Sequence, residues 1–398
     1  MSIRLLEKPH ESMAASLAAA ASVLAARIND GATLWCIAPG FEDHARHLAV
    51  EFVHPASVGA RAVPAVALPT VSPHALVATV RSSARTGDVI ISMGDAESTR
   101  SAELGASSRA WGVTHVHLGW RTEDRPLGSS TDYRLDASPT RFVSIGADAT
   151  SERFLTRAYH LLWELTFICM RTPGWCPAPP GERQEVTSSF LYPSLKTGSQ
   201  SGAPSQNGGM LDELAAAVRA TWAEAVALDE ESLAVNTTAL EDAASLVGAR
   251  AERGGRLLVM GNGGSACDAD RLVRLVQDVA PARSLVDPAV LSAIANDVGA
   301  ARMFARQVET FATPADVVIV FSTSGTSANI LEAVAAAKRA GAATIAFAGY
   351  GGGALAEHDD VDVCLRVESS SVHRIQEAQG ALCNALVVRI AEVRKGQP

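Results

Sequence analysis

The chain has 398 residues, 47% of them hydrophobic and 19% charged, which suits about two domains with substantial cores. Its net charge of −9 and its lack of any long basic run argue against nucleic acid and anionic membrane as partners. The start, Met1 to His10, shows no apolar core of signal-peptide length, and no apolar run approaches the ~20 residues of a membrane span. Residues 161–170 are too short and carry Glu164. The six cysteines (36, 169, 176, 267, 364, 383) have no paired short spacing. These features together give the expectation of a reduced, cytoplasmic protein.

In chain order, residues 10–30 are rich in Ala and Leu at helical spacing, with Gly31 as the cap. Strands are expected at 33–37, 63–68, 88–92, 113–118 and 141–145. Between them 38–43 reads as a turn, 44–53 as helix, 93–95 as loop, 98–110 as helix, and 151–170 as a long apolar helix. Strands alternating with helices predict a parallel sheet covered on both faces. Residues 173–209 are rich in Pro, Gly and Ser and read as a linker, interrupted by an apolar island at 190–195. That spacing gives domains at 1–172 and 210–398 around a linker at 173–209.

After Met210 the pattern resumes. Helices are expected at 211–227 and 238–252, strands at 257–260, 286–291, 315–321 and 343–348, and a last helix over 372–395. Two stretches here carry the chemistry. Leu257–Met260 is an apolar strand that empties through Gly261-Asn-Gly-Gly-Ser265 into a helical pattern. The run 317–320 likewise leads into Ser322-Thr-Ser-Gly-Thr-Ser327 and a helical run from Asn329. A helix N-terminus behind a glycine turn presents unpaired backbone N–H groups and a positive dipole end, which suits an anion. One such turn is weak evidence and reads equally as a plain connection. Two of them on neighbouring strands would hold one phosphate with backbone amides and the hydroxyls of Ser322, Thr323, Ser324, Thr326 and Ser327, joined by Ser265.

This pair of loops resembles the sugar isomerase (SIS) family, and within it the phosphoheptose isomerases. Leu291-Ser-Ala-Ile-Ala-Asn-Asp297, Phe304-Ala-Arg-Gln-Val308 and Arg374-Ile-Gln-Glu377 match that subfamily as well. The resemblance covers about residues 210–395 and implies an α/β fold of flavodoxin-like, three-layer kind, with a mostly parallel five-stranded sheet between helices. It implies that Gly263, Gly264, Ser265, Ser322, Thr323, Ser324, Thr326, Ser327 and Gln376 contact the phosphate, and that Asn262, Asn296 and Asp297 contact the sugar. It also implies a homo-oligomer, dimer or tetramer, and no nucleotide cofactor.

Laid side by side, the halves repeat. Leu34-Trp-Cys-Ile-Ala-Pro-Gly falls on Leu257-Leu-Val-Met-Gly-Asn-Gly, and Gly87-Asp-Val-Ile-Ile on Ala315-Asp-Val-Val-Ile. The reading is a tandem pair of SIS domains with a divergent first copy. In phosphoheptose isomerases the helix after the first loop carries a His and, four on, a Glu; the last helix carries a Gln and, eight on, a His. These bind a metal and move the proton. In the C-terminal half the matching positions hold Arg271, Leu275, Gln376 and Asn384, so that half alone should not isomerise. In the N-terminal half they hold His47, Glu51, Glu152 and His160, while Glu42, Asp95 and Glu97 stand where phosphate would sit.

His47 and Glu51, at i and i+4, share a helix face, and imidazole with carboxylate suits zinc or another divalent ion. By spacing alone the same pair reads equally as a solvated ion pair, and His160 as a hydrogen-bonded core histidine. Two functions follow. One is an aldose–ketose isomerase of sugar phosphates, with Glu51 taking a proton from the carbon beside the carbonyl, His160 returning or relaying one, and a metal polarising the oxygens. The other is an inactive module in which the C-terminal half binds a phosphosugar and reports it to a partner, or assists assembly, with the N-terminal half as scaffold.

Overall fold

The computed structural model describes residues 11–55, 60–69, 73–96, 99–120, 140–144, 151–171 and 208–395. The linker expected at 173–209 lies outside these except for its last two positions, as do its apolar island and Glu97. The chain divides into two compact units, Met1–Glu224 and Ala225–Pro398. Among the described residues no helix is long and apolar enough to cross a membrane.

The first unit runs α1 (Glu11–Asn29), β1 (Leu34–Ile37), α2 (Glu42–Val53), β2 (Ala65–Ala67), α3 (Pro73–Ser83), β3 (Val89–Asp95), α4 (Ser101–Trp111), β4 (Thr114–Trp120), β5 (Thr140–Ser144) and α5 (Ser151–Arg171). Its five strands lie in the order β2-β1-β3-β4-β5, and every neighbouring pair is parallel. One observation corrects the sequence reading. Residues 93–95, expected as loop, continue β3 and pair with β4 as far as Asp95 opposite Trp120. Gly94, with φ of 109°, is a residue that sequence logic assigns to a turn, yet the ladder with β4 carries the chain through it.

Helix α6 (Gly208–Val235) leads into the second unit, which continues with α7 (Thr237–Ala251), β6 (Leu257–Gly261), α8 (Gly264–Val276), β7 (Ala282–Ser284), α9 (Pro288–Asp297), α10 (Ala305–Phe311), β8 (Val317–Ser322), α11 (Ala328–Arg339), β9 (Ala343–Ala348), β10 (Val363–Arg366) and α12 (Val372–Lys395). The strand order is β10-β9-β8-β6-β7, all parallel. Read from the second strand in sequence, this is the order of the first unit. The central strands β6, β8 and β9 are buried at every residue, as continuous apolar runs between two helical layers require. Phe321 and Phe347, paired in register, stack with centroids 4.4 Å apart in that core.

The strand expected at 286–291 does not form. Asp287 caps a helix there: its Oδ1 accepts the Val290 N–H at 3.0 Å, and Pro288 occupies the first helical turn. A cap followed by proline outranks the apolar run of Val286, Val290 and Leu291. The real strand is β7, three residues long and only partly buried.

Candidate functional site

In a parallel sheet all strands end on one edge, and ligands bind beyond it. In the second unit β6 and β8 are neighbours, with Gly261 opposite Phe321, so the turns after them leave the sheet side by side. Gly263 turns the first with φ of 54° and ψ of −123°, and α8 begins at Gly264. Ser265 in its first turn is buried. A helix start leaves its first N–H groups without helical partners and puts the positive end of the dipole there. Asn262 and the first turn of α11 are joined by a reciprocal amide pair, Asn262 to Asn329, at 3.0 and 2.8 Å.

The second turn is shaped by its own hydroxyls. Ser322 Oγ accepts the Gly325 N–H at 3.0 Å. Ser324 Oγ accepts the Thr326 N–H and hydroxyl, both at 3.2 Å, and lies 3.5 Å from Ser327 Oγ. Accepting a bond leaves the Ser322 hydroxyl its own proton to donate. Gly325 takes φ of 64°, and a Cβ there would stand 2.2 Å from the Gly352 carbonyl oxygen. Leu355 N–H donates to Gly325 O at 3.0 Å. A third segment, Gly349 to Gly353, therefore clamps the serine turn. The sequence reading missed it, although the run Gly349-Tyr-Gly-Gly-Gly353 is a plain signal of close backbone approach.

The structure thus brings Asn262, Gly263, Gly264, Ser265 and residues 322–327 to one edge. Asn296 and Asp297 stand exposed at the end of α9, with Asn296 Nδ2 donating to Asp297 Oδ1 at 2.7 Å. Gln376 is buried in α12. Arg271 is buried in α8, close enough to α12 that a Cβ on Gly380 would come within 2.6 Å of its Nη1. Arg374 and Glu377 form a buried ion pair at 3.0 Å. Burial drives the Cys383 thiol far above its usual pKa, against the opposing pull of Arg271.

In the first unit, His47 and Glu51 come from α2 and His160 from α5. One ligand atom from each lies within 4.8 Å of the others, and all three residues are buried. His47 Nε2 is 3.5 Å from Glu51 Oε1, and the His47 and His160 rings meet at 5.2 Å and 79°. Tyr159 Oη is 3.0 Å from His47 Nδ1, and Trp163 Nε1 donates to Glu51 O at 2.8 Å. Two imidazoles and a carboxylate, with His47 held at its outer nitrogen by the Tyr159 hydroxyl, are a donor set that suits zinc. Glu152 sits in the first turn of α5, and its side chain lies outside the described residues. Among the described residues no other such group occurs.

On β3 and β4 of the same unit, Ser92 Oγ lies 2.8 Å from both His115 Nε2 and His117 Nδ1. Burial lowers the His115 pKa from 6.5 to about 4.

The sequence profile of the SIS domain matches residues 222–349. The phosphoheptose isomerase of Roseiflexus sp. (strain RS-1) is 44% identical over 163 residues, which is 37% of this chain and 82% of that protein. That of Thiobacillus denitrificans (strain ATCC 25259 / T1) is 42% identical over 160 residues, 37% of this chain and 81% of its own. Among solved structures, the C-terminal domain of glucosamine-fructose-6-phosphate aminotransferase from Francisella tularensis covers 96% of this chain and 95% of itself with a TM-score of 0.54. At 11% identity that likeness is one of fold.

Proposed function

This chain belongs to the SIS domain family, and from that membership and the paired turns of its second unit we propose that it binds a sugar phosphate and interconverts its aldose and ketose forms. The observation that supports this most is the adjacency of the turns after β6 and β8, tied together by Asn262 and Asn329. In this reading the N–H groups around Gly263, Gly264 and Ser265 and the hydroxyls of Ser265, Ser322, Thr323, Ser324, Thr326 and Ser327 hold the phosphate oxygens. Gln376 adds an amide, and Asn262, Asn296 and Asp297 orient the sugar hydroxyls.

The acid–base residues belong to the first unit. His47, Glu51 and His160, with Glu152, hold zinc or another divalent ion. That ion, when bound, supplies Lewis-acid polarisation of a neighbouring oxygen. Glu51 takes the proton from the carbon beside the carbonyl, and His160 returns one to the neighbouring carbon. The same reading carries a dimer or tetramer in the cytoplasm and no nucleotide cofactor.

The named relatives act on a seven-carbon sugar phosphate, so sedoheptulose 7-phosphate is the first substrate to offer. Appearance of the aldose product, lost in Glu51→Gln, supports the enzyme. A second reading, an inactive phosphosugar sensor or assembly module, draws support from Arg271, which fills the helix face beside Gly380 in the unit that holds the phosphate turns. Tight phosphosugar binding with no turnover and no bound metal favours that module.

A further inference from the structure

His47 has two ring nitrogens, and they face different partners. Nε2 is the atom near Glu51, and Nδ1 is the atom bonded to Tyr159. The Tyr159 hydroxyl also lies 3.4 Å from Thr156 Oγ1 and 3.5 Å from His44 Nδ1. We propose that Tyr159 is a positioning residue for the ligand group, a hydroxyl that lets His47 pass its ring proton from Nε2 to Nδ1 so that Nε2 can take a divalent cation. The inference rests on the metal reading of His47, Glu51 and His160.

A neutral imidazole ligates through its bare nitrogen, and its proton must then sit on the other one. Without an ion, the Glu51 carboxylate beside Nε2 draws the proton there, and Nδ1 accepts from the Tyr159 hydroxyl. With an ion at Nε2, the proton sits on Nδ1 and needs an acceptor. A hydroxyl serves both states, because it donates in one and accepts in the other after rotation about its C–O bond. In the second state its own proton turns to Thr156 Oγ1 or His44 Nδ1, both within reach. A carboxylate in that place would accept only, and a phenylalanine would do neither.

The ring has a separate part. Tyr159 is fully buried and meets His47 at 5.5 Å and 62° and His160 at 4.9 Å and 84°. The ring packs edge-on against both imidazoles, and Tyr159→Phe keeps that packing while removing the hydroxyl. Neither composition nor helical spacing marks this residue, because its role exists only where α5 crosses α2.

The experiment is zinc affinity of the full chain, by competition with a chromophoric chelator, for wild type, Tyr159→Phe and His47→Ala. The absorption spectrum of the cobalt-loaded protein serves as a second readout. The expected result is tight binding in wild type, a 10- to 100-fold loss in Tyr159→Phe with an altered cobalt spectrum, and little binding in His47→Ala. A merely structural role for the hydroxyl would lower the melting point and leave zinc affinity and spectrum alone. Wild-type affinity in Tyr159→Phe overturns the role of Tyr159 and spares the metal reading. A wild-type chain that takes up no zinc, like His47→Ala, overturns both. If Tyr159→Phe does not fold, the double variant His44→Phe/Thr156→Val keeps the tyrosine but removes the acceptors for its proton. The same direction of loss is expected there, and unchanged affinity overturns the proposal.

Discussion

Asp88 and Asp316 do the same work in the two units. Asp88 Oδ1 accepts the Thr33 N–H at 3.0 Å, and its Oδ2 accepts the Arg85 N–H at 2.8 Å and Trp35 Nε1 at 2.9 Å. Asp316 Oδ1 accepts the Arg256 N–H at 2.9 Å, and its Oδ2 accepts the Thr313 N–H and hydroxyl at 2.8 and 2.9 Å. Thr33 and Arg256 immediately precede β1 and β6. Each acid thus closes its own turn and pins the start of the neighbouring strand. Asp316 is 3% exposed, so its charge is satisfied by these bonds and by Arg256 Nε, 3.9 Å from Oδ1, rather than by water. Bonds to a charged group are worth about 1.5–3 kcal/mol. Asp316→Ala is expected to lower the thermal midpoint, with a loss on the order of 3 kcal/mol, and Asp88→Ala to do the same. An unchanged midpoint in either would show those bonds to be incidental.

The phosphate turns predict two distinct phenotypes. Ser265→Ala removes one hydroxyl from the first turn of α8 and leaves the backbone N–H groups in place. Its affinity for a sugar phosphate should drop about tenfold, the worth of one bond to a charged partner, with the melting point unchanged. Gly325→Ala acts on shape: it combines a left-handed backbone with a Cβ 2.2 Å from the Gly352 carbonyl oxygen. It should lose both stability and phosphosugar affinity, because the turns at 322–327 and 349–353 must part. Calorimetric titration beside a melting curve separates the two. Parallel losses in both variants would contradict the assignment of Ser265 to the ligand.

How far the sequence carries the reader depends on how local each signal is. Leu257–Met260 and 317–320 are unbroken apolar runs bounded by turns, and β6 and β8 form there. The two edge strands of the second unit leave no such mark. Ala282-Arg-Ser284 and Val363-Cys-Leu-Arg366 each carry arginine and are short, so the apolar run at 286–291 reads as the strand in place of β7, and nothing in the pattern marks β10. Helix α3 at Pro73–Ser83 likewise carries no mark that the sequence pattern singles out. His47 and Glu51 share a face by the arithmetic of one helix. Their meeting with His160 depends on how α2 packs against α5, and the family pattern, not periodicity, supplied it. Tyr159 had neither kind of signal.

Loss of the His47 ring is expected to empty the ligand group without unfolding the unit. Purified wild type should carry close to one zinc or comparable divalent ion per chain by elemental analysis, and His47→Ala much less. Chelator treatment of wild type should remove the same ion and leave sugar-phosphate binding intact, since the phosphate turns belong to the second unit. A metal content that is equal in wild type and His47→Ala would remove these residues from the proposal.

The last expectation concerns pH. In the fold, Ser92 Oγ sits between His115 Nε2 and His117 Nδ1, 2.8 Å from each. Burial holds the His115 pKa at about 4 against an ordinary 6.5, so the ring stays neutral in the folded chain until the solution is well acid. Below 6.5 the unfolded chain takes up a proton that the folded chain refuses. Stability from this residue is therefore complete above pH 6.5 and falls progressively as pH drops towards about 4, by up to about 3 kcal/mol. Denaturation midpoints measured from pH 7.5 down to 4.5 should show that decline, and His115→Asn should flatten it, because an amide can bond to Ser92 without titrating. If His115→Asn declines as steeply as wild type, the acid sensitivity arises from other groups.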